Sequence, residues 1–87
     1  TDPLTGQAAC LRDLGRFDEA EELVRVVLRQ IPAEPTAHLE LARLEMARGH
    51  PDEARQAVDA ALLAWADADP GFRPAAEARA LREALAD

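Results

Sequence analysis

The segment GHPDEARQAV, Gly49 to Val58, decides how this sequence is read. It places His50, Asp52 and Glu53 within four positions. Taken alone, that grouping looks like a metal site or an acid–base pair. A second segment, GRFDEAEELV, runs from Gly15 to Val24 and lies 34 residues upstream. Gly15 aligns with Gly49, Asp18 with Asp52, Glu19 with Glu53, Ala20 with Ala54 and Val24 with Val58. His50 aligns with Arg16. The acids are kept where the histidine is not, so a ligand set is not needed to explain them. Glycine ends helices in the left-handed conformation. Carboxylates in the first turn of the next helix complement its dipole, by about 0.3–1 kcal/mol each. Pro51 fits a helix start and would break a helix interior. The segment reads as a turn between two helices. A metal would need a further convergent donor, and none is expected.

The repeat extends outward from these two turns. Prolines and glycines cut the chain into five helical pieces. Asp2 and Pro3 form a cap and first position for a helix running to Leu14, which Gly15 stops. The second helix spans Phe17 to Gln30 and ends before Pro32. Its apolar residues Ala20, Leu23, Val24, Val27, Leu28 and Ile31 fall in steps of three and four, one stripe of an amphipathic helix. The third begins at Pro35 or Thr36 and reaches Arg48. The fourth begins at Pro51 with the stripe Ala54, Ala57, Val58, Ala61, Leu62 and Trp65, and reaches Ala66. The loop DADPGFR follows, and Pro74 opens a last helix to Ala86. No stretch alternates with the period of two that marks a half-buried strand. The fold class is therefore all-α.

Composition narrows the function. The chain has 87 residues, enough for one domain with a thin core. Its net charge of -7 opposes nucleic acid, whose affinity comes mainly from Lys and Arg contacts to phosphate. It also opposes anionic membrane surfaces, and no apolar run approaches the roughly 20 residues of a membrane span. The sequence contains no Lys, Ser, Asn or Tyr. It therefore offers no serine nucleophile, no P-loop lysine and no Schiff-base lysine. No enzyme and no cofactor is expected. Arg without Lys, with abundant Ala, suggests a GC-rich bacterial genome. Cys10 is the single cysteine, so no intramolecular disulfide can form. TDPLTGQAAC has neither a basic start nor a long apolar run, so no secretory leader is read in it. A cytoplasmic location is expected.

A 34-residue helix–turn–helix resembles the tetratricopeptide repeat family. Ala20-x3-Val24 and Ala54-x3-Val58 stand in the family's Ala-x3-Phe pattern, and Pro32 closes the first repeat on schedule. GRFDEA and GHPDEA look like its inter-helix turn. Leu4 and His38 stand where the family prefers Trp, and Leu11 and Glu45 where it prefers Tyr. The resemblance implies a right-handed stack of antiparallel helix hairpins. Residues 1–34 form repeat one. Residues 35–69 form repeat two, its second helix extended by about one turn because proline arrives late, at Pro70. Residues 74–86 form a capping helix.

The resemblance also implies a function: protein–protein interaction, with a partner peptide or helix on the concave face. The first helix of each repeat lines that face, which points to Asp2, Thr5, Ala9, Arg12 and Asp13, then Thr36, Leu39, Arg43, Met46 and Ala47. Leu39 and Met46 are seven residues apart and share a helix face with Arg43 between them. Arg12 lies on the neighbouring helix. Together Arg12, Leu39, Arg43 and Met46 would hold an apolar side chain and a carboxylate of the partner. The competing reading packs Leu39 and Met46 under the last helix. Some chaperone-binding members use a Lys/Asn clamp, which this sequence lacks. Solenoids need about three units for stability. The last helix can supply the cap, or the chain can form a homodimer. The alternative function is accordingly a structural or homodimerisation module with no peptide ligand.

Three further residues complete the reading. Cys10 aligns with Leu44 and reads as a small apolar core residue. His38 can pair with Glu34 four residues before it. Trp65 reads as core packing between the fourth and last helices.

Overall fold

Proline and glycine punctuation divides the chain as expected. The computed structural model describes residues 3–86. Asp2, the expected cap of the first helix and a candidate groove residue, lies outside them. The helices are α1 (Pro3–Asp13), α2 (Phe17–Gln30), α3 (Pro35–Ala47), α4 (Pro51–Ala64) and α5 (Arg73–Ala84). The described residues contain no strand. Helices α1 and α2 form one hairpin, α3 and α4 the next, and α5 packs on α4. Helix α3 is the centre of the stack, touching α1, α2 and α4.

The two hairpin turns share one backbone design. Gly15 and Gly49 have φ of +78° and +79°. Each lets the chain fold back so that the next amide reaches a carbonyl five residues earlier. The Arg16 N–H donates to the Leu11 carbonyl at 2.9 Å, and the His50 N–H donates to the Glu45 carbonyl at 2.8 Å. This is the Schellman closure, which satisfies carbonyls that the helix end would leave unpaired. A side chain on either glycine would be strained in that conformation.

Small residues then set the packing distance. Ala8, Ala20, Ala42 and Ala54 are fully buried, as are Val24, Val58 and Leu44. Alanine at the crossings lets each helix pair approach closely. The connection between hairpins is also built locally. Glu34 caps α3, accepting from the Thr36 N–H at 3.1 Å and the Thr36 hydroxyl at 2.6 Å. The Glu34 side chain serves this cap rather than His38. The His38 Nε2–H instead donates to the Pro32 carbonyl at 2.8 Å.

Two sequence expectations are corrected here. Helix α4 has 14 residues, the same as α2, so the extra turn does not form. Asp67 and Asp69 would place negative charge at the negative pole of a longer helix. Pro70 also disfavours helical geometry at the residue before it. The chain turns instead, with the Ala68 N–H on the Trp65 carbonyl and the Phe72 N–H on the Asp69 carbonyl. That return brings Phe72 edge-on to Trp65, with centroids 5.6 Å apart and planes at 76°. Trp65 is buried in the core, where packing was expected to place it. The second correction is Cys10, which is exposed while its counterpart Leu44 is fully buried. Leu44 lies on the central helix. Cys10 lies on an outer helix, packed chiefly against α2 and α3.

Helix α5 runs from Arg73 to Ala84, displaced by one to two residues from the 74–86 expected. It is fastened to α4 at its far end. Arg55 donates to the Leu85 carbonyl at 2.7 Å, a cation on a helix C-terminus, and Arg82 pairs with Asp59 at 2.8 Å.

Candidate functional site

The first helices of successive hairpins carry a line of alternating charge. Asp13 lies 3.4 Å from Arg12, and the Arg12 Nε–H donates to Glu40 at 2.5 Å. The other Glu40 oxygen is 3.9 Å from Arg43, whose far nitrogen donates to Glu77 at 2.7 Å. The chain Asp13–Arg12–Glu40–Arg43–Glu77 thus crosses α1, α3 and α5. Glu40 is only 3% exposed. Burial pushes its carboxyl above the ordinary value, and the two guanidiniums offset only part of that effect. The outer members, Asp13 and Glu77, reach solvent.

The expected groove residues separate on this surface. Arg12 and Arg43 are half-buried and already engaged by acids of the chain itself. Met46 is 39% exposed, whereas Leu39 is 3% exposed and joins the core. Seven residues put Leu39 and Met46 nearly on one face, but Leu39 is drawn into the core and Met46 lies in the last turn of α3. Glu40 and Glu77 were not singled out by sequence. The signal was present for Glu40, which stands three residues before Arg43 on the same helix.

The turn between α3 and α4 holds a second cluster. Asp52 pairs with Arg55. His50 and Glu53 are joined instead by Glu45, and ligand atoms of these three side chains lie within 4.8 Å of one another. His50 Nδ1 is 3.3 Å from Glu45 Oε2. Next to them, Arg48 reaches back to α2, donating to Glu21 and Asp18 at 2.6 Å each. Burial would raise the Glu21 carboxyl, but hydrogen bonds and charge from Arg25 and Arg48 outweigh it and hold it below its ordinary value.

A family model described as Tetratricopeptide repeat matches residues 11–85. The chain belongs to the tetratricopeptide repeat family. No curated protein and no solved structure matches it. Tetratricopeptide repeats generally mediate protein–protein interaction and form non-catalytic scaffolds. Among the described residues, no helix is long and apolar enough to cross a membrane.

Proposed function

We propose that this tetratricopeptide repeat chain is a non-enzymatic interaction module that binds a partner segment or helix on the concave face of α1, α3 and α5. The observation that supports this reading is Met46, an exposed, adaptable apolar side chain, beside the charge line of Arg12, Glu40, Arg43 and Glu77. A fitting partner carries an apolar residue flanked by charges. Its acidic group would compete with Glu77 for Arg43, and its basic group would meet Asp13 or Glu77. Leu39 contributes from beneath, by holding α3 in place. The overall charge of -7 favours a partner with net positive charge and disfavours nucleic acid. A reducing, cytoplasmic setting fits Cys10, which is exposed and free.

The double variant Met46→Glu/Arg43→Glu tests the assignment. Partners captured by the wild-type chain and identified by mass spectrometry should be lost from the variant, while its far-ultraviolet circular dichroism is retained. Capture that persists in the folded variant would move the site elsewhere.

A second reading, homodimerisation, draws support from the outer side of the first hairpin. Leu14 is 70% exposed there, and Leu11 and Leu23 are only partly buried. Sedimentation at increasing concentration separates the two readings, because a monomer at every concentration excludes the dimer.

A further inference from the structure

The helix-start explanation accounts for Asp52 and Glu53 but not for Glu45. Leu11 occupies the equivalent position in the first hairpin. A carboxylate at a leucine position is unfavourable unless its oxygens are partnered. Glu45 is 8% exposed, and its buried Oε1 accepts no hydrogen bond. Arg48 stands 3.7 Å from Oε1, and its Nη1 already donates to Glu21 at 2.6 Å. The neighbouring position changes in the same direction. Arg16 of the first hairpin pairs with Glu19 at 2.6 Å, whereas the second hairpin has His50 there and keeps the acid as Glu53. An apolar–cation–acid trio has become an acid–imidazole–acid trio.

We propose that Glu45, His50 and Glu53 form a binding site for one divalent transition-metal ion of the zinc class. Tetrahedral coordination with bonds of about 2.0–2.1 Å separates donor atoms by about 3.3–3.4 Å. The His50 Nδ1 and Glu45 Oε2 pair already has that spacing, at 3.3 Å. The remaining ligand atom lies within 4.8 Å, and the exposed side chains of Glu53 and His50 can turn to close the gap. One imidazole with two carboxylates suits zinc. Calcium and magnesium take oxygen donors throughout. The ion would bring further positive charge to a buried acid whose Oε1 accepts no hydrogen bond. It would also tie the last turn of α3, the cap of α4 and the first turn of α4 into one unit. The fourth coordination position is left to water or to a donor from a partner. The site does not depend on the concave-face reading.

The untagged, chelator-stripped chain should bind one equivalent of zinc chloride in calorimetry, more tightly than millimolar. Cobalt(II) should give visible absorption bands of a low-coordinate site. In NMR spectra the His50 ring signals should shift on zinc addition and those of His38 should not. His50→Arg and Glu45→Leu each install the residue of the first hairpin, and each should weaken binding by at least about tenfold. Asp52→Asn, beside the trio but outside it, should change affinity less than twofold. The proposal is overturned by no binding tighter than millimolar, by undiminished binding in His50→Arg, or by equal loss in Asp52→Asn. His50 is exposed, so its variant remains informative even where Glu45→Leu fails to fold.

Discussion

The two hairpins have one backbone and two chemistries. Their turns share the positive-φ glycine, the five-residue hydrogen-bond closure and the buried alanine that follows. Their side chains diverge at most turn-end positions, among them Cys10 and Leu44, Leu11 and Glu45, Leu14 and Arg48, and Arg16 and His50. The first hairpin lies at the edge of the stack, and the second is flanked on both sides. What a position must be is thus set jointly by its repeat register and by which neighbours cover it.

The largest test of that statement compares Leu44 with Cys10. Leu44→Ala empties a fully buried site and should cost about 2–5 kcal/mol, whereas Cys10→Ala should stay within about 0.5 kcal/mol. Urea unfolding of the two variants measures the difference. Equal effects would mean that the edge and central helices are covered alike. The next test concerns what the hairpins share. Gly15→Ala and Gly49→Ala should each cost about 1–2 kcal/mol, since both force a side chain into the left-handed region. A thermal shift confined to one of them would show that the turns are not equivalent.

The smallest effect is a matter of sign. Glu21 has a lowered carboxyl pKa, so its contribution is present above the unfolded value and is lost as pH falls through the folded one. Glu40 has a raised pKa, so its contribution is full below the unfolded value and is lost as pH rises through the folded one. Against wild type between pH 3 and 7, Glu21→Gln should lose stability as pH rises, by less than about 1 kcal/mol. Glu40→Gln should gain relative to wild type over the same range. Urea midpoints across that range check both, and a common sign would refute the assignment of burial as the dominant cause at Glu40.

The 34-residue register made most of the backbone legible. Matching glycines, acids and alanines located both turns, and helix limits followed from Pro and Gly to within two residues. The register was silent where copies differ in their surroundings. It equated Cys10 with Leu44 because alignment carries no information on what lies outside the hairpin. The late proline, Pro70, implies an extra turn in α4, whereas Asp67 and Asp69 oppose helix continuation earlier. Arg12 and Arg43 were legible as residues but not as ion pairs, since Glu40 and Glu77 lie 28 and 34 residues from their partners. Glu45 was visible as a departure from the family's preferred Tyr. Its closeness to His50 depends on the turn geometry, which brings residues five apart side by side.

That turn geometry makes the side-chain pair portable. The hydrogen bond that closes the turn joins the backbones of residues 45 and 50 in one hairpin and 11 and 16 in the other. Whatever amino acids are written at those two positions therefore become neighbours without further change to the scaffold. The first hairpin already presents Glu19 in the place of Glu53, so two substitutions would complete the same trio there. Duplicating such a repeat duplicates the address of a site along with the fold, and only its contents remain to be edited.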